Sequence, residues 1–245
     1  MPLAKAVNDL VAIRDGELIF QGKTLDIPSL RPEREIGRGA NGIVILCENT
    51  FLKRPEALKI WVKLRNKDRR DKFKQGISEA QKAAAAAGGV APQIYSAGDV
   101  GDGIFYASME MIEGETLKEY ISKEKGLFQR SVVAQAYVWA IEQLCESGHV
   151  HGDPHTKNVI VRAIDEKRVR LSLLDFGTSH FTAPNRFVER HWRVVDETLS
   201  RMYRDHFFFR RMKGKPTSFD SGSQYAWTKY YSEVAKMMRE LSVGH

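Results

Sequence analysis

The chain has 245 residues, 42% of them hydrophobic, with 38 Lys and Arg against 31 Asp and Glu for a net charge of +7. That is enough apolar chain for one sizeable core or two small lobes around a cleft, while only two cysteines, Cys47 and Cys145, exclude a disulfide framework and a thiolate zinc site. No stretch approaches the roughly 18 continuous apolar residues of a membrane span, and Met1 to Asp15 lacks the apolar core and cleavage site of a signal peptide, so a soluble, cytoplasmic globular protein is expected. The excess positive charge asks for an anionic partner, with nucleotide, phosphoprotein, nucleic acid and membrane surface all eligible. Much of that charge sits in two stretches, Lys53 to Lys74 and Arg201 to Lys215.

Residues 3–13 are expected as a short amphipathic helix and Glu17 to Ile27 as two strands around Gln21-Gly22, together an amino-terminal extension over residues 1–33. From Arg34 the pattern turns to strands: Glu35-Ile36-Gly37, Ile43 to Glu48 and Ala57 to Leu64. A helix is predicted from about Asp68 to Ala87, with Phe73, Ile77, Ala80 and Ala84 on one face and Gly88-Gly89 as its stop. Gln93 to Asp99 and Ile104 to Met111 complete five strands, joined by the Gly101-Asp102-Gly103 turn.

Beyond Glu113-Gly114 the character is helical, with helices expected over Thr116 to Ser122 and Ser131 to Ser147. Two short strands follow, Val159 to Arg162 and Val169 to Leu174. A helix around Val188 to Arg204, a Gly/Ser/Pro-rich loop from Lys213 to Ser223 and a last helix from Tyr225 to Leu241 close the chain. A strand-rich half over residues 34–112 thus meets a helical half over 113–245.

The polar motifs fall at that junction. Gly37-Arg38-Gly39-Ala40-Asn41-Gly42-Ile43-Val44 fits a pattern in which glycines let backbone N–H groups approach phosphates. A ligand-free hairpin turn fits equally, but a dinucleotide-binding turn needs a helix where a strand follows here. Lys59 lies inside an apolar strand, where a lysine usually snorkels to solvent. Glu79, on the next helix, can pair with it and hold it against α- and β-phosphates.

In His151-Gly152-Asp153-Pro154-His155-Thr156-Lys157-Asn158, the Asp153 carboxylate can orient a hydroxyl and accept its proton. Asn158 can ligate a metal, and Asp175, in Asp175-Phe176-Gly177, can bind Mg²⁺ bridging phosphates, since magnesium prefers carboxylate and phosphate oxygens. Each motif alone also suits a turn. It is their order and spacing together that point to phosphoryl transfer.

From about Arg34 to Arg204 the chain resembles the protein-kinase-like superfamily. The resemblance implies an α+β, bilobal fold with a five-stranded antiparallel N-lobe, one αC-type helix and a reduced helical C-lobe. It implies ATP and Mg²⁺ as cofactors, with Gly37, Gly39, Gly42 and Val44 as the nucleotide loop, Lys59 and Glu79 as an ion pair, Asp153 as the catalytic carboxylate, and Asn158 and Asp175 as metal ligands. Met109 matches the gatekeeper position. The Glu110 carbonyl and Ile112 backbone are then expected to meet adenine between Ala57 and Ile160, and His151 to stack with Phe176.

The departures bear on substrate. Gly152 replaces the arginine that usually precedes the catalytic acid, so activation by loop phosphorylation is not expected. His155 replaces the usual lysine, as in aminoglycoside-phosphotransferase-like enzymes, and can touch the γ-phosphate as a pH-dependent donor. No Ala-Pro-Glu follows Gly177, and Asp196 resembles the residue that braces the catalytic loop. The expectation is a minimal serine/threonine protein kinase acting on a protein acceptor. The alternatives are a small-molecule kinase acting on another alcohol and a nucleotide-binding pseudokinase or basic scaffold, with nucleic acid a less favoured partner. The short C-lobe also leaves room for an activating protein.

Overall fold

The computed structural model describes residues 11–39, 42–62, 67–86, 88–123, 126–165, 168–176, 187–203 and 224–243. Strands β1 (Val11–Arg14), β2 (Glu17–Phe20) and β3 (Lys23–Leu25) form an antiparallel meander. Its two turns, Asp15-Gly16 and Gln21-Gly22, have positive φ at all four residues, the backbone that matches the twist of a tight hairpin. The helix expected over 3–13 is therefore not formed at Val11 to Ile13, which pair with Phe20 to Leu18; the rest of that span lies outside the described residues. The Asp-Gly turn closes a hairpin there, whereas an isolated helix of that length is marginal in water.

Val11, Leu18, Phe20 and Ile27 are buried against Ile43, Ile45, Leu58 and Ile60, so the meander is packed onto the larger sheet beside it. That sheet is antiparallel with order β4-β5-β6-β8-β7, made of β4 (Leu30–Gly39), β5 (Gly42–Asn49), β6 (Arg54–Trp61), β7 (Ile94–Gly101) and β8 (Ile104–Glu110). The edge strand β4 begins at Leu30, before the expected Glu35. Register shifts at Pro32/Arg34 and Glu35/Gly37 let an edge strand hold a proline that cannot donate to a ladder.

Helix α1 (Lys67–Ala86) connects β6 to β7. It docks through Phe73, whose ring lies 4.7 Å from Trp61 and 5.0 Å from Phe105. Gly88 and Gly89, both at positive φ, follow its carboxy end as expected.

The helical half starts at Gly114, whose φ of 145° is open only to glycine. A β-carbon there would also lie 2.5 Å from the Val161 carbonyl oxygen. Next come β9 (Glu115–Thr116) and α2 (Leu117–Ser122), joined by a capping box in which Thr116 and Glu119 satisfy each other's backbone N–H groups. Helix α3 (Leu127–Glu146) starts ahead of the expected Ser131. Strands β10 (Val159–Ala163) and β11 (Val169–Leu173) join β9 in a small sheet, and helices α4 (Phe187–Tyr203) and α5 (Gln224–Val243) complete the half. Tyr137, Ile141 and Leu144 of α3 pack with Leu173, Trp192, Val195 and Tyr231 into one buried core. The segments 177–186 and 204–223, including Gly177 and the expected loop from Lys213 to Ser223, lie outside the described residues.

Candidate active site

A cleft of about 820 Å³ opens between the five-stranded sheet and the β9–β10–β11 half, a size that suits a nucleotide. In the sheet, Gly39 faces Gly42 at the end of the β4–β5 hairpin, Val44 faces Lys59, and Ala57 faces Met109. Gly37, Gly42, Val44, Ala57, Met109, Glu110 and Ile112 line the cleft from this side and Ile160 from the other. Glu79 is not among its lining residues. Gly42 is demanded by packing as well: a β-carbon there would sit 2.0 Å from the Ile60 carbonyl oxygen. The Glu110 N–H already donates to the Gln93 carbonyl at 2.8 Å.

The expected Lys59–Glu79 pair is not formed. The Lys59 ammonium, only 12% exposed, pairs instead with the Asp175 carboxylate, and it lies 4.8 Å from the centre of the Trp61 ring. Glu79 accepts from Lys82 Nζ at 3.1 Å and lies 3.0 Å from His149 Nδ1. Burial raises the Glu79 pKa, but its bonds with Lys82 and His149 outweigh that and hold it below its usual value. The physical reason is competition: α1 is turned so that Glu79 meets His149, three residues past the end of α3, and Asp175 is the acid within reach of Lys59.

The loop before β10 is bound mainly to itself. The His155 N–H donates to the Asp153 carbonyl at 2.9 Å, and the Asn158 N–H to the His155 carbonyl at 2.8 Å. His155 Nδ1 accepts the Lys157 N–H at 3.2 Å, so one edge of the imidazole is engaged in shaping the loop while the residue still lines the cleft. The Asn158 amide N–H donates to the Asp153 carbonyl at 3.1 Å, which leaves its oxygen as the group suited to a cation.

Asp175 is placed through its neighbour. The Leu174 N–H donates to the Asn158 carbonyl at 2.7 Å, and His151 Nε2 donates to the Leu174 carbonyl, also at 2.7 Å. Asp175 itself has φ 70°, a conformation that costs a side-chain-bearing residue on the order of 1 kcal/mol and persists where the surroundings over-determine it. Asp153, Asn158 and Asp175 all line the cleft, so the structure brings together the polar residues singled out from sequence, except Glu79.

Two buried histidines hold this arrangement. His151 accepts the Asp153 N–H at Nδ1 at 3.2 Å and lies 4.4 Å from the Phe176 ring at a 49° tilt. His191, on α4, accepts the Gly152 N–H at 3.2 Å. Burial pushes His151 down to about 4 and His191 to about 3, so both rings are neutral near pH 7 and can accept a backbone proton. Tyr137 from α3 donates to the Pro154 carbonyl at 2.7 Å, and Thr198 from α4 reaches the same oxygen at 3.5 Å.

The bracing assigned to Asp196 thus corrects to His191: Asp196 accepts from the Tyr231 hydroxyl at 3.3 Å. Sequence reading also missed Arg190, whose Nη2 donates to Asp153 Oδ2 at 2.5 Å. No spacing marks either residue, although Arg190-His191 next to Trp192 is a polar pair entering an apolar helix face.

A sheet-rich lobe, a helical lobe and a cleft with Lys59, Asp153, Asn158 and Asp175 define a kinase-like protein. The model of the ABC1 atypical kinase-like domain matches residues 105–202. The serine/threonine-protein kinase PrkC of Bacillus subtilis (strain 168) is 30% identical over 148 residues, which are 59% of this chain. The chain spans 22% of that relative's length. Among solved structures, a point mutant of the Mycobacterium tuberculosis PknI kinase domain superposes with a TM-score of 0.66 at 14% identity, over 93% of this chain and 99% of that one. The chain is thus similar to protein-kinase-like proteins, and its fold is that of a kinase domain.

Proposed function

We propose that the chain is an ATP- and Mg²⁺-dependent serine/threonine protein kinase that transfers the γ-phosphate to a protein hydroxyl in the cytoplasm. In this reading residues 1–33 are an extension, 34–112 the nucleotide lobe and 113–245 a reduced acceptor lobe. The observation that carries it is the meeting of Lys59, Asp153, Asn158 and Asp175 on one cleft. Two protein ligands, the Asn158 amide oxygen and the Asp175 carboxylate, suit a magnesium ion that takes its remaining oxygens from phosphates and water. When bound, that ion neutralises phosphate charge.

Gly37, Gly39, Gly42 and Val44 cover the phosphates and base, while Ala57, Met109, Ile112, Ile160 and the Glu110 carbonyl hold adenine. Lys59 leaves Asp175 for the α- and β-phosphates, and Glu79 can then receive it. Asp153 orients the acceptor hydroxyl and takes its proton as the new oxygen–phosphorus bond forms and ADP departs. Positioning and charge neutralisation supply the rate. His155, at the cleft, donates to the γ-phosphate from the nitrogen not used by Lys157.

The test is transfer from radiolabelled ATP with Mg²⁺ to the protein itself or a generic protein. Label is expected with wild type and is lost in Asp153→Asn and Asp175→Asn. His155 also favours a small-molecule kinase; label found only on an added sugar or other small alcohol moves the conclusion there. Absence of metal-dependent ATP binding rejects both.

A further inference from the structure

The hairpin between β5 and β6 ends in Thr50-Phe51-Leu52-Lys53, where Phe51 is 85% exposed and Leu52 53%. Single exposed apolar residues are ordinary, but here two stand together on a convex tip that is held in one geometry. All four backbone N–H groups of the tip are bonded within the protein: Thr50 to the Ser29 carbonyl at 2.8 Å, Phe51 and Leu52 to Asn49 Oδ1 at 3.1 and 2.9 Å, and Lys53 to the Asn49 carbonyl at 2.8 Å. Asn49 is aimed in turn by its amide nitrogen, which donates at 2.9 Å to Glu56, a buried carboxylate that also accepts from Ser108. A turn in water can leave its N–H groups to solvent, whereas one that enters lipid must satisfy them internally.

Charge around the tip points the same way. The side chains of Arg31 and Lys53 are 61% and 73% exposed, and the Glu48 carboxylate between them only 26%. Arg54 bonds Glu56 and lies 3.6 Å from the centre of the half-exposed Tyr95 ring, an amphipathic pair suited to a membrane–water boundary. Both acids are thus held behind the cations, and the outermost charge is positive. A protein partner would need roughly 1,000 Å² of matching surface, far more than two side chains on a convex tip supply. A bilayer accepts such a tip directly, and anionic headgroups take its cations. We infer that the β5–β6 tip docks the protein on an anionic lipid bilayer, with Phe51 and Leu52 entering the boundary between headgroups and acyl chains and Arg31 and Lys53 on the headgroups. The tip stands at the other end of β5 from Gly42, ~23 Å away at about 3.3 Å per residue, so docking leaves the glycine turn uncovered.

The whole chain can be mixed with sucrose-loaded vesicles of phosphatidylcholine, alone or with about a third phosphatidylserine, and the bound fraction read after sedimentation. Wild type is expected on the anionic vesicles. The double change Phe51→Ser and Leu52→Ser should weaken that binding roughly a hundredfold, about tenfold for each large apolar side chain withdrawn. Lys53→Asn, which keeps a residue tolerant of the φ of 53° found there, should weaken it about fivefold on anionic vesicles only, one cation's share. Leu52→Trp should tighten it. These side chains are exposed, so the urea midpoints of all variants should match wild type, which separates lost docking from lost folding. No sedimentation of wild type with anionic vesicles, or a double variant that binds as wild type does through the basic stretch from Lys59 to Lys74, overturns the inference. So does a wild-type dimer in sedimentation velocity that the double variant breaks, without vesicle binding, which gives the tip to a second copy. Binding is read without nucleotide, so the outcome is independent of what the cleft does.

Discussion

Acidification should loosen this protein well before its carboxylates titrate, because the loop before β10 hangs on two neutral, buried imidazoles. An ordinary histidine titrates at 6.5; burial lowers His151 to about 4 and His191 to about 3. Below pH 6.5 the unfolded chain takes up protons that the folded chain refuses, so the unfolded state binds more and stability falls with pH. The stabilisation is fully present above 6.5 and is lost as pH drops toward the folded values. At about pH 5 each histidine has lost ~2 kcal/mol, and the pair ~4 kcal/mol, a large part of a typical domain's stability. Urea unfolding followed by tryptophan fluorescence at pH 7 and pH 5, at constant ionic strength, measures this; Trp192 lies against the His191 ring at 4.7 Å and reports locally. In His191→Asn, whose amide oxygen can still accept the Gly152 N–H, the loss between the two pH values should shrink by about 2 kcal/mol, one histidine's share. A loss identical to wild type refutes the linkage.

Three further outcomes follow from the site. Tyr137→Phe removes the hydroxyl bonded to the Pro154 carbonyl and should destabilise by about 1–2 kcal/mol while lowering kcat more than it raises KM for ATP; steady-state kinetics beside urea melts will show it, and an unchanged kcat would dismiss the anchoring role. Gly42→Ala drives a methyl onto the Ile60 carbonyl and should destabilise by roughly 1–3 kcal/mol even in nucleotide-free protein, whereas a loss confined to nucleotide affinity would mean that only phosphate contact needs the glycine. His149→Ala releases Glu79 from one of its partners and should tighten binding of a fluorescent ATP analogue a few-fold, on the order of one weak ion pair; weaker binding would show that Glu79 does not receive Lys59.

Much of the order of elements was legible because it is written locally. Period-two runs ended by glycine turns marked the sheet, and Gly88-Gly89 closed α1 where a helix stop was expected. Lys59, Asp153, Asn158 and Asp175 stand in short motifs whose neighbours fix their backbone, and all four reach the cleft. Choices among distant partners were not legible. Glu79 was matched to Lys59 by its place on the next helix, but the rotation of α1 gives it to His149. Asp196 and His191 share α4, yet their spacing points them to different faces, one toward Tyr231 of α5 and the other toward Gly152. The hairpin at Val11 was missed for the opposite reason: its local signal, Asp15-Gly16, was present and outweighed by an apolar spacing that fits either period.

Gly114 fixes where the two halves can turn against each other. Its backbone abuts the Val161 carbonyl, and the residues after it, Glu115 and Thr116, are already paired with Val161 and Ile160. The lower end of the crossing is thus welded to the strand that floors the cleft, while its upper end, Glu110, is laddered to Glu56. Rotation is left to Met111, Ile112 and Glu113, a pivot of three residues whose middle member lines the cleft. Opening the jaw therefore reshapes the wall of the cleft through the same few bonds.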